Sequence, residues 1–252
     1  MSPDALVATL RAAGCVFAED EARLLLEAAA DETELALMVA DRVAGRPLEQ
    51  VVGFAEFDGL RLAVAPGVFV PRLRSTLLVR RAAAGLRAGD VAVDLCCGTG
   101  ALGAALLAAV PGLEVYAADL DPAAVACARR NLPADRVFEG DLYDALPDRL
   151  RGRVAAVVAN APYVPTDAIA TMPPEARDHE HRVALDGGAD GLDVQRGVVA
   201  GAPRWLAAGG RVLVETGRHQ ASRTAELMTA AGLRTELVTD DEVDGTAVVG
   251  TR

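Results

Sequence analysis

The chain contains no lysine: all 25 of its basic residues are arginine, a bias of composition with no functional meaning of its own. Aromatic residues make up only 4%, so any core built from this sequence is mostly Ala, Val and Leu. No apolar run is long enough to span a bilayer. Met1 to Leu10 lacks the basic-then-apolar layout of a signal peptide, so neither a membrane partner nor export is expected. The four cysteines, Cys15, Cys96, Cys97 and Cys127, fit neither a disulfide framework nor a zinc site, and two are adjacent. They read as reduced, small core residues of a cytoplasmic protein. Histidine is scarce. His179 and His181 flank Glu180 with no further ligand beside them, and His219 stands apart, so no metal is expected. Positive charge is also in deficit. A net charge of −11 repels phosphate backbones unless a basic patch assembles locally. Arg72, Arg74, Arg80 and Arg81 form the one noticeable basic cluster.

What is present is a chain of 252 residues that is 52% hydrophobic, enough for one large domain and a small appendage. Residues 2 to 44 are rich in Ala, Leu and Glu with helical spacing. Ser2-Pro3 starts one helix and Gly14 ends it; Glu19 to Ala30 and Glu32 to Ala44 are two more. Val51 to Val70 carries Gly53, Gly59 and Gly67 between short β-like runs and reads as a hairpin. From about Ser75 helices and strands alternate. The expected strands are Val91–Leu95, Glu114–Asp119, a short one at Val137, Val154–Ala159, Arg211–Thr216, 233–238 and 246–251. The helices between them are 75–88, Ala101–Ala109, Pro122–Asn131, 194–208 and 218–231, and Thr166 to Asp193 is a long irregular stretch. This alternation predicts an α/β fold with a mostly parallel sheet covered on both faces. The last two strands have no helix between them and should pair antiparallel. The expected division is 1–50 helical, 51–74 a β-hairpin linker, and 75–252 the main domain.

Two segments carry the chemistry. Val158-Ala159-Asn160-Ala161-Pro162-Tyr163 ends a buried strand with an amide, a stiff turn and an aromatic ring. Pro162 has no N–H to give a ladder, so Asn160 stands at a strand's carboxyl end, where open α/β sheets bind ligands. An amide there suits holding a flat amino group. The second segment, Asp94-Leu95-Cys96-Cys97-Gly98-Thr99-Gly100, follows the first strand of the sheet and opens a helix, so its glycines let the backbone approach a ligand. Asp119 ends the next strand about 20 residues on, where a carboxylate bonds ribose hydroxyls. Asp141 ends a third strand, with Leu142 after it. Three acids at successive strand ends favour a cationic, ribose-bearing ligand. Gly98-x-Gly100-x-x-Gly103 also satisfies a pyrophosphate fingerprint. Asp94, just before the loop, tips the reading to S-adenosylmethionine, with S-adenosylhomocysteine as product.

With these residues in view, the chain resembles the class I S-adenosylmethionine-dependent methyltransferases. More narrowly, it resembles the glutamine-N5 methyltransferases that modify peptide release factors. The resemblance runs from about Gly45 to the C-terminus. It covers Gly45-Arg46-Pro47-Leu48-Glu49-Gln50, Gly53 to Phe57, and Pro66 to Arg72. It continues through Asn160-Ala161-Pro162-Tyr163 where the family has Asn-Pro-Pro-Tyr, Ala184-Leu185-Asp186-Gly187-Gly188, Asp190 to Asp193, Glu215-x-Gly217 and Gln220. The glycine loop and Asn-x-Pro-Tyr occur in many methyltransferases; their combination with Ala-Leu-Asp-Gly-Gly is specific. The resemblance implies a Rossmann-like fold with a seven-stranded sheet, and an N-terminal helical piece that helps grip a protein substrate. It implies a cofactor site at Arg72, Asp94, Cys96, Gly98, Gly100, Asp119, Leu120, Asp141, Leu142 and Asn160. The catalytic group would be Asn160, Ala161, Pro162 and Tyr163. The Asn160 side-chain oxygen and the Ala161 carbonyl would hold the amide hydrogens, and Tyr163 would pack on the amide plane.

The chain departs from the family at Leu73-Arg74-Ser75, where Pro-Glu-Thr is usual. Cys96 replaces the first loop glycine, Ala161 the first motif proline, and His181 a proline after Glu180. These departures mark a divergent paralogue. The expected acceptor is a glutamine in a release factor or a ribosomal protein. The alternatives are an adenine-N6 methyltransferase, which a basic stripe across the active-site face would support, and a cofactor-binding regulatory protein with weakened catalysis.

Overall fold

The computed structural model describes all 252 residues. Helices α1 (Pro3–Ala12), α2 (Ala18–Ala28) and α3 (Glu32–Val43) form the N-terminal piece. Ser2 caps α1 by accepting the Ala5 N–H ahead of Pro3, and the Asp31 carboxylate caps α3 through the N–H groups of Thr33 and Glu34. Leu6, Leu10, Ala18, Leu25, Leu35 and Val39 bury one face of each helix in a small core of their own. A further short helix, α4 (Leu48–Val52), packs on that core through Leu48, Val51 and Val52. The turn into the hairpin therefore falls at Gly53, with φ +78°, rather than at residue 51. The hairpin is β1 (Phe54–Phe57) paired antiparallel with β2 (Leu60–Ala63). Its Phe57 and Leu62 sink into the main core, so the linker is tied to the large domain by apolar burial.

The large domain starts with a 3-10 turn, Leu73–Ser75, that runs into α5 (Thr76–Ala83). Then come β3 (Val91–Leu95), α6 (Ala101–Ala109), β4 (Glu114–Asp119), α7 (Pro122–Ala128), β5 (Val137–Glu139) and β6 (Val154–Ala159). After α8 (Pro174–His179) follow α9 (Asp193–Trp205), β7 (Leu206–Glu215), α10 (Ala221–Ala230), β8 (Arg234–Asp240) and β9 (Gly245–Thr251). The seven-stranded sheet has the order β5-β4-β3-β6-β7-β9-β8. Only β9 runs antiparallel, slotted between β7 and β8. The fold is the Rossmann-like α/β architecture of class I methyltransferases, with the antiparallel last strand that the sequence predicts.

Period-two alternation divides the core between the faces of the sheet. Ala92, Val115, Ala117, Ala156, Val158 and Leu213 face α5, α6 and α7. Val93, Leu95, Val157, Ala159, Val212 and Val214 face α9 and α10, where Trp205 and Met228 fill the layer.

Several expected boundaries differ: the helix expected over Pro122–Asn131 ends at Ala128, and the strand expected to end at Asp141 ends at Glu139. The helix expected to reach residue 208 stops at Trp205, because Leu206 is fully buried and pairs with Val154. The register then shifts to Ala156 opposite Arg211, over Gly209 at φ +74° and Gly210. The helix expected over 75–88 ends at Ala83. The stretch 166–193 holds α8 and two 3-10 turns, and it is stitched to the rest by bridges Gly67 to Glu180 and Val164 to Asp186.

Candidate active site

The chain enters the sheet at β3, moves outward to β4 and β5, and returns to β6 on the other side of β3. That reversal is a topological switch point, and a crevice opens at the carboxyl ends of the strands. The crevice is lined by Asp94, Cys96, Gly98, Asp119, Leu120, Asp141, Leu142, Asn160, Ala161, Pro162 and Tyr163. The structure thus brings eleven residues singled out from the sequence to one cavity. Two stand outside the lining. Gly100, at φ +76°, caps α6, and a Cβ there would meet Leu132 at 2.8 Å, so it serves packing. Arg72 turns away to pair with the buried Glu180 at 2.7 Å.

Asp94 sits near the end of β3, 1% exposed. Its Oδ2 accepts the Gly103 N–H at 2.9 Å, which ties the strand to α6. Its Oδ1 is buried with no partner. Burial pushes the Asp94 carboxyl up to about 8, and the nearby Asp119 charge adds to the rise. Asp119 ends β4. Its Oδ2 accepts the Gly98 N–H at 2.8 Å and its Oδ1 the Asp121 N–H at 2.9 Å, so one carboxylate holds the glycine loop against the next turn. Burial raises Asp119 as well, opposed by those two N–H bonds. Cys96 lies among the acids: burial first, then the charges of Asp119, Asp94 and Asp141, push its thiol well above the ordinary range. A thiol held protonated is no nucleophile. A buried, acid-lined cavity of this kind is matched by a cation, which draws its raised carboxyls into the ionised form. The orphaned Asp94 oxygen fits an ammonium donor, and neither feature fits a pyrophosphate.

Two backbone positions in the lining are left-handed without glycine: Cys96 at φ +56° and Leu142 at φ +46°. Such residues store strain and cluster at ligand clamps.

On the other wall, Asn160 follows β6, Ala161 and Pro162 are buried, and Tyr163 is half-buried. The Ala184–Asp193 segment packs behind this turn. Val164 donates its N–H to the Leu185 carbonyl at 3.1 Å, Gly187 donates to the Val164 carbonyl at 2.8 Å, and Gln220 Nε2 donates to the Tyr163 carbonyl at 3.0 Å. A Cβ on Gly187 would sit 2.7 Å from the Gly191 carbonyl oxygen, which explains why glycines recur there.

Sequence reasoning missed one group. Arg74, Ser75, Phe69 and Met172 also line the cavity. Glu215, at the end of β7, accepts from Ser75 Oγ at 2.6 Å and from Arg74 Nε at 3.1 Å. Asn160 Nδ2 in turn donates to Ser75 Oγ at 3.3 Å. The signal was the departure Leu73-Arg74-Ser75 together with Glu215-x-Gly217, two motifs far apart in sequence that the sheet brings side by side. His181 Nδ1 meets Asp121 Oδ2 at 2.5 Å, which ties the 166–193 stretch to the turn after β4.

Fold and cavity together define a class I S-adenosylmethionine-dependent methyltransferase. Residues 60–175 match the family model described as "Methyltransferase small domain". A T. thermophilus 16S rRNA N2 G1207 methyltransferase, solved in complex with AdoMet and guanosine, shares the fold. Its TM-score is 0.55 at 20% identity, over 79% of this chain and 49% of that one. The release factor glutamine methyltransferase of Streptomyces coelicolor is 42% identical over 198 residues, 76% of this chain and 70% of that protein. The 4-amino-L-phenylalanine/4-methylamino-L-phenylalanine methyltransferase of Streptomyces pristinaespiralis is 38% identical over 77% of this chain and 69% of its own length. The chain belongs to the release factor glutamine methyltransferase family.

Proposed function

We propose that this protein methylates the side-chain amide nitrogen (N5) of a glutamine in a protein, with a peptide release factor as the first candidate and a ribosomal protein as the second. The observation that carries this reading is the placement of Asn160, Ala161, Pro162 and Tyr163 on the wall of the same cavity as Asp94, Asp119 and Asp141. Gly98, Leu120 and Leu142 would hold S-adenosylmethionine alongside these acids, with Asp119 on the ribose hydroxyls and Asp94 at the ammonium. When bound, the cofactor supplies a methyl carbon made electrophilic by its sulfonium.

The protein's part is to position the acceptor. An amide nitrogen is a poor nucleophile because its lone pair is delocalised into the carbonyl. Asn160 Oδ1 and the Ala161 carbonyl would accept the two amide hydrogens and aim the nitrogen, with Tyr163 packed on the plane. Ala161 precedes Pro162 and stays biased to extended backbone, so a carbonyl acceptor survives the loss of the family proline. Positioning of this kind supplies roughly 7–11 kcal/mol of a barrier. The nitrogen that has just taken the methyl group is cationic and strongly acidic, and it returns to the neutral N-methyl amide by giving one proton to water, so no dedicated strong base is required.

Residues 1–50 would grip the protein substrate, and Leu37 and Phe17 leave apolar surface exposed there for it. We place the activity in the cytoplasm, where release factors act; four unpaired cysteines accord with a reducing compartment. A nucleic-acid acceptor is disfavoured by charge. The arginine cluster is not a basic stripe, because Arg72, Arg74, Arg80 and Arg81 pair with Glu180, Glu215, Asp240 and Glu236.

One observation favours a second acceptor class. Arg74 puts a guanidinium in the cavity wall where the family usually has an acid. A small acceptor with its own carboxylate and an aromatic amine, as in the S. pristinaespiralis relative, would suit it.

The test is incubation with tritiated S-adenosylmethionine and three acceptors: a release factor, 4-amino-L-phenylalanine, and adenine-containing oligonucleotides. Label on one release-factor glutamine, located by mass spectrometry, is the expected result. Label in the amino acid alone moves the assignment to the second class, and label in the oligonucleotide alone overturns both.

A further inference from the structure

The ends of β6 and β7 are neighbours in parallel register, with Ala159 opposite Val214. The residues that follow, Asn160 and Glu215, therefore stand side by side at the carboxyl edge of the sheet. Ser75, at the end of the 3-10 turn before α5, reaches between them. Ser75 is 3% exposed and Glu215 2% exposed, so water does not compete for their bonds.

The bond directions are forced by the donor inventory. A carboxylate only accepts, and a serine hydroxyl has one proton to give. Ser75 gives that proton to Glu215 Oε2 at 2.6 Å. Its oxygen can then only accept from its other neighbour. The end of the Asn160 amide that faces it must be the NH2, and Nδ2 stands 3.3 Å from the Ser75 oxygen. An asparagine amide has nearly the same shape either way round. Without a directional partner, nothing in packing alone would choose between the two orientations.

We propose that Ser75 and Glu215 are positioning residues that fix the Asn160 side chain with its nitrogen toward Ser75 and its oxygen free for the acceptor. The inference rests on the glutamine reading above. A flipped Asn160 would turn an NH2 toward an acceptor that itself offers N–H groups, and donor would face donor. Arg74 completes the device. Its Nε bonds Glu215 Oε1 at 3.1 Å and favours the ionised carboxylate that the direction of the chain requires. The charged and titratable groups facing Glu215 are Arg74 from the 3-10 turn and Tyr163 from the loop after β6. Burial raises the Glu215 carboxyl, with Ser75 and Arg74 opposing. A protonated Glu215 could donate to Ser75, release the serine proton toward Asn160, and let the amide turn over. The arrangement also accounts for Ser75 standing where the family has threonine: both supply the hydroxyl.

The test compares Ser75→Thr, Ser75→Val and Glu215→Gln with the unaltered protein on a release factor, with S-adenosylhomocysteine affinity measured by calorimetry as the check on folding. Ser75→Thr should keep kcat within about twofold. Ser75→Val, of the same shape as the Thr variant but without the hydroxyl, should lower kcat by roughly tenfold or more, the size of one lost directional bond. Its affinity for S-adenosylhomocysteine and its KM should be unchanged. Glu215→Gln should lose the acid limb of the kcat–pH profile. Equal kcat for the Thr and Val variants, or an acid limb kept by Glu215→Gln, would overturn the inference and leave the glutamine reading standing. An unaltered protein that labels no release factor would overturn both.

Discussion

At the residue scale, the proposed function would give the carboxylates and the amide of the cavity separable tasks. Asp119 spends one lone pair on each of two backbone N–H groups and would spend others on ribose hydroxyls. Bonds to a charged acceptor are worth about 1.5–3 kcal/mol. Asp119→Ala should therefore weaken S-adenosylhomocysteine binding by roughly ten- to a hundredfold in calorimetry; unchanged affinity would remove it from the cofactor site. Asn160→Ala should abolish turnover and leave that affinity nearly intact, because in the proposed arrangement Asn160 would serve the acceptor. Parallel loss of both would make Asn160 a turn residue. Cys96 gives a stability prediction of opposite sign. Its backbone is left-handed at φ +56°, a region that costs a non-glycine residue about 1–2 kcal/mol. Glycine removes that strain but gives back part of the gain as chain entropy. Cys96→Gly should raise stability by about 0.5–1 kcal/mol in urea titration. That these residues share one cavity was readable in the sequence, because each side chain sits at or just past a strand end announced by a buried apolar run. Ser75 and Glu215 were not assigned roles, since only the sheet order shows that they meet.

At the scale of elements, the strands were the most readable part. β3 and β6 begin and end with their apolar runs, β4 is an apolar run closed by Glu114 and Asp119, and Pro162 and the glycine loop mark the exits. The helices were less so. Runs of alanine carry little periodicity, so the ends of α5 and α9 are set by contacts and not by local pattern. At α9 the buried Leu206 competes successfully for a place in the sheet. The stretch 166–193 was opaque because its order comes from backbone bonds to the distant Gly67, to Val164, and across the stretch itself from Thr166 to Gly188. Its glycines nevertheless signalled close approach. Gly191, at φ +74°, lies against the Tyr163 carbonyl and Gln220 Nε2, and an added Cβ would collide with both. Gly191→Ala should therefore push the Asn160–Tyr163 turn inward. The expected result is a loss of more than about 2 kcal/mol in unfolding free energy. It should come with a kcat deficit larger than the loss of S-adenosylhomocysteine affinity. A variant with unaltered melting temperature and rate would show that the segment yields without cost.

At the scale of the whole molecule, the negative net charge is distributed and not pooled. Arginines from the segment 72–81 are neutralised one by one by acids on β7, β8 and the stretch after α8, which composition alone could not reveal. The exception is the cavity, where Asp94, Asp119 and Asp141 gather without a facing arginine among their bonded partners. Asp94 makes this a property of global stability. In the unfolded chain it releases its proton near 3.8, and in the folded chain only near 8. Between those values the native state binds the extra proton, so stability falls with rising pH. The contribution is fully present below about pH 3.8, fades as pH climbs, and is gone above about pH 8. A cationic ligand reverses the preference, because an ammonium next to the Asp94 oxygen favours the ionised form. Binding of S-adenosylhomocysteine at about pH 7 should then expel a proton, and affinity should rise toward pH 8. Calorimetry in buffers of different ionisation enthalpy reads that proton directly. Asp94→Asn should abolish the buffer dependence and flatten the fall of melting temperature with pH in the ligand-free protein. If the Asn variant kept both slopes, the proton would belong to another group, and Asp94 would be a helix tether through Gly103 alone.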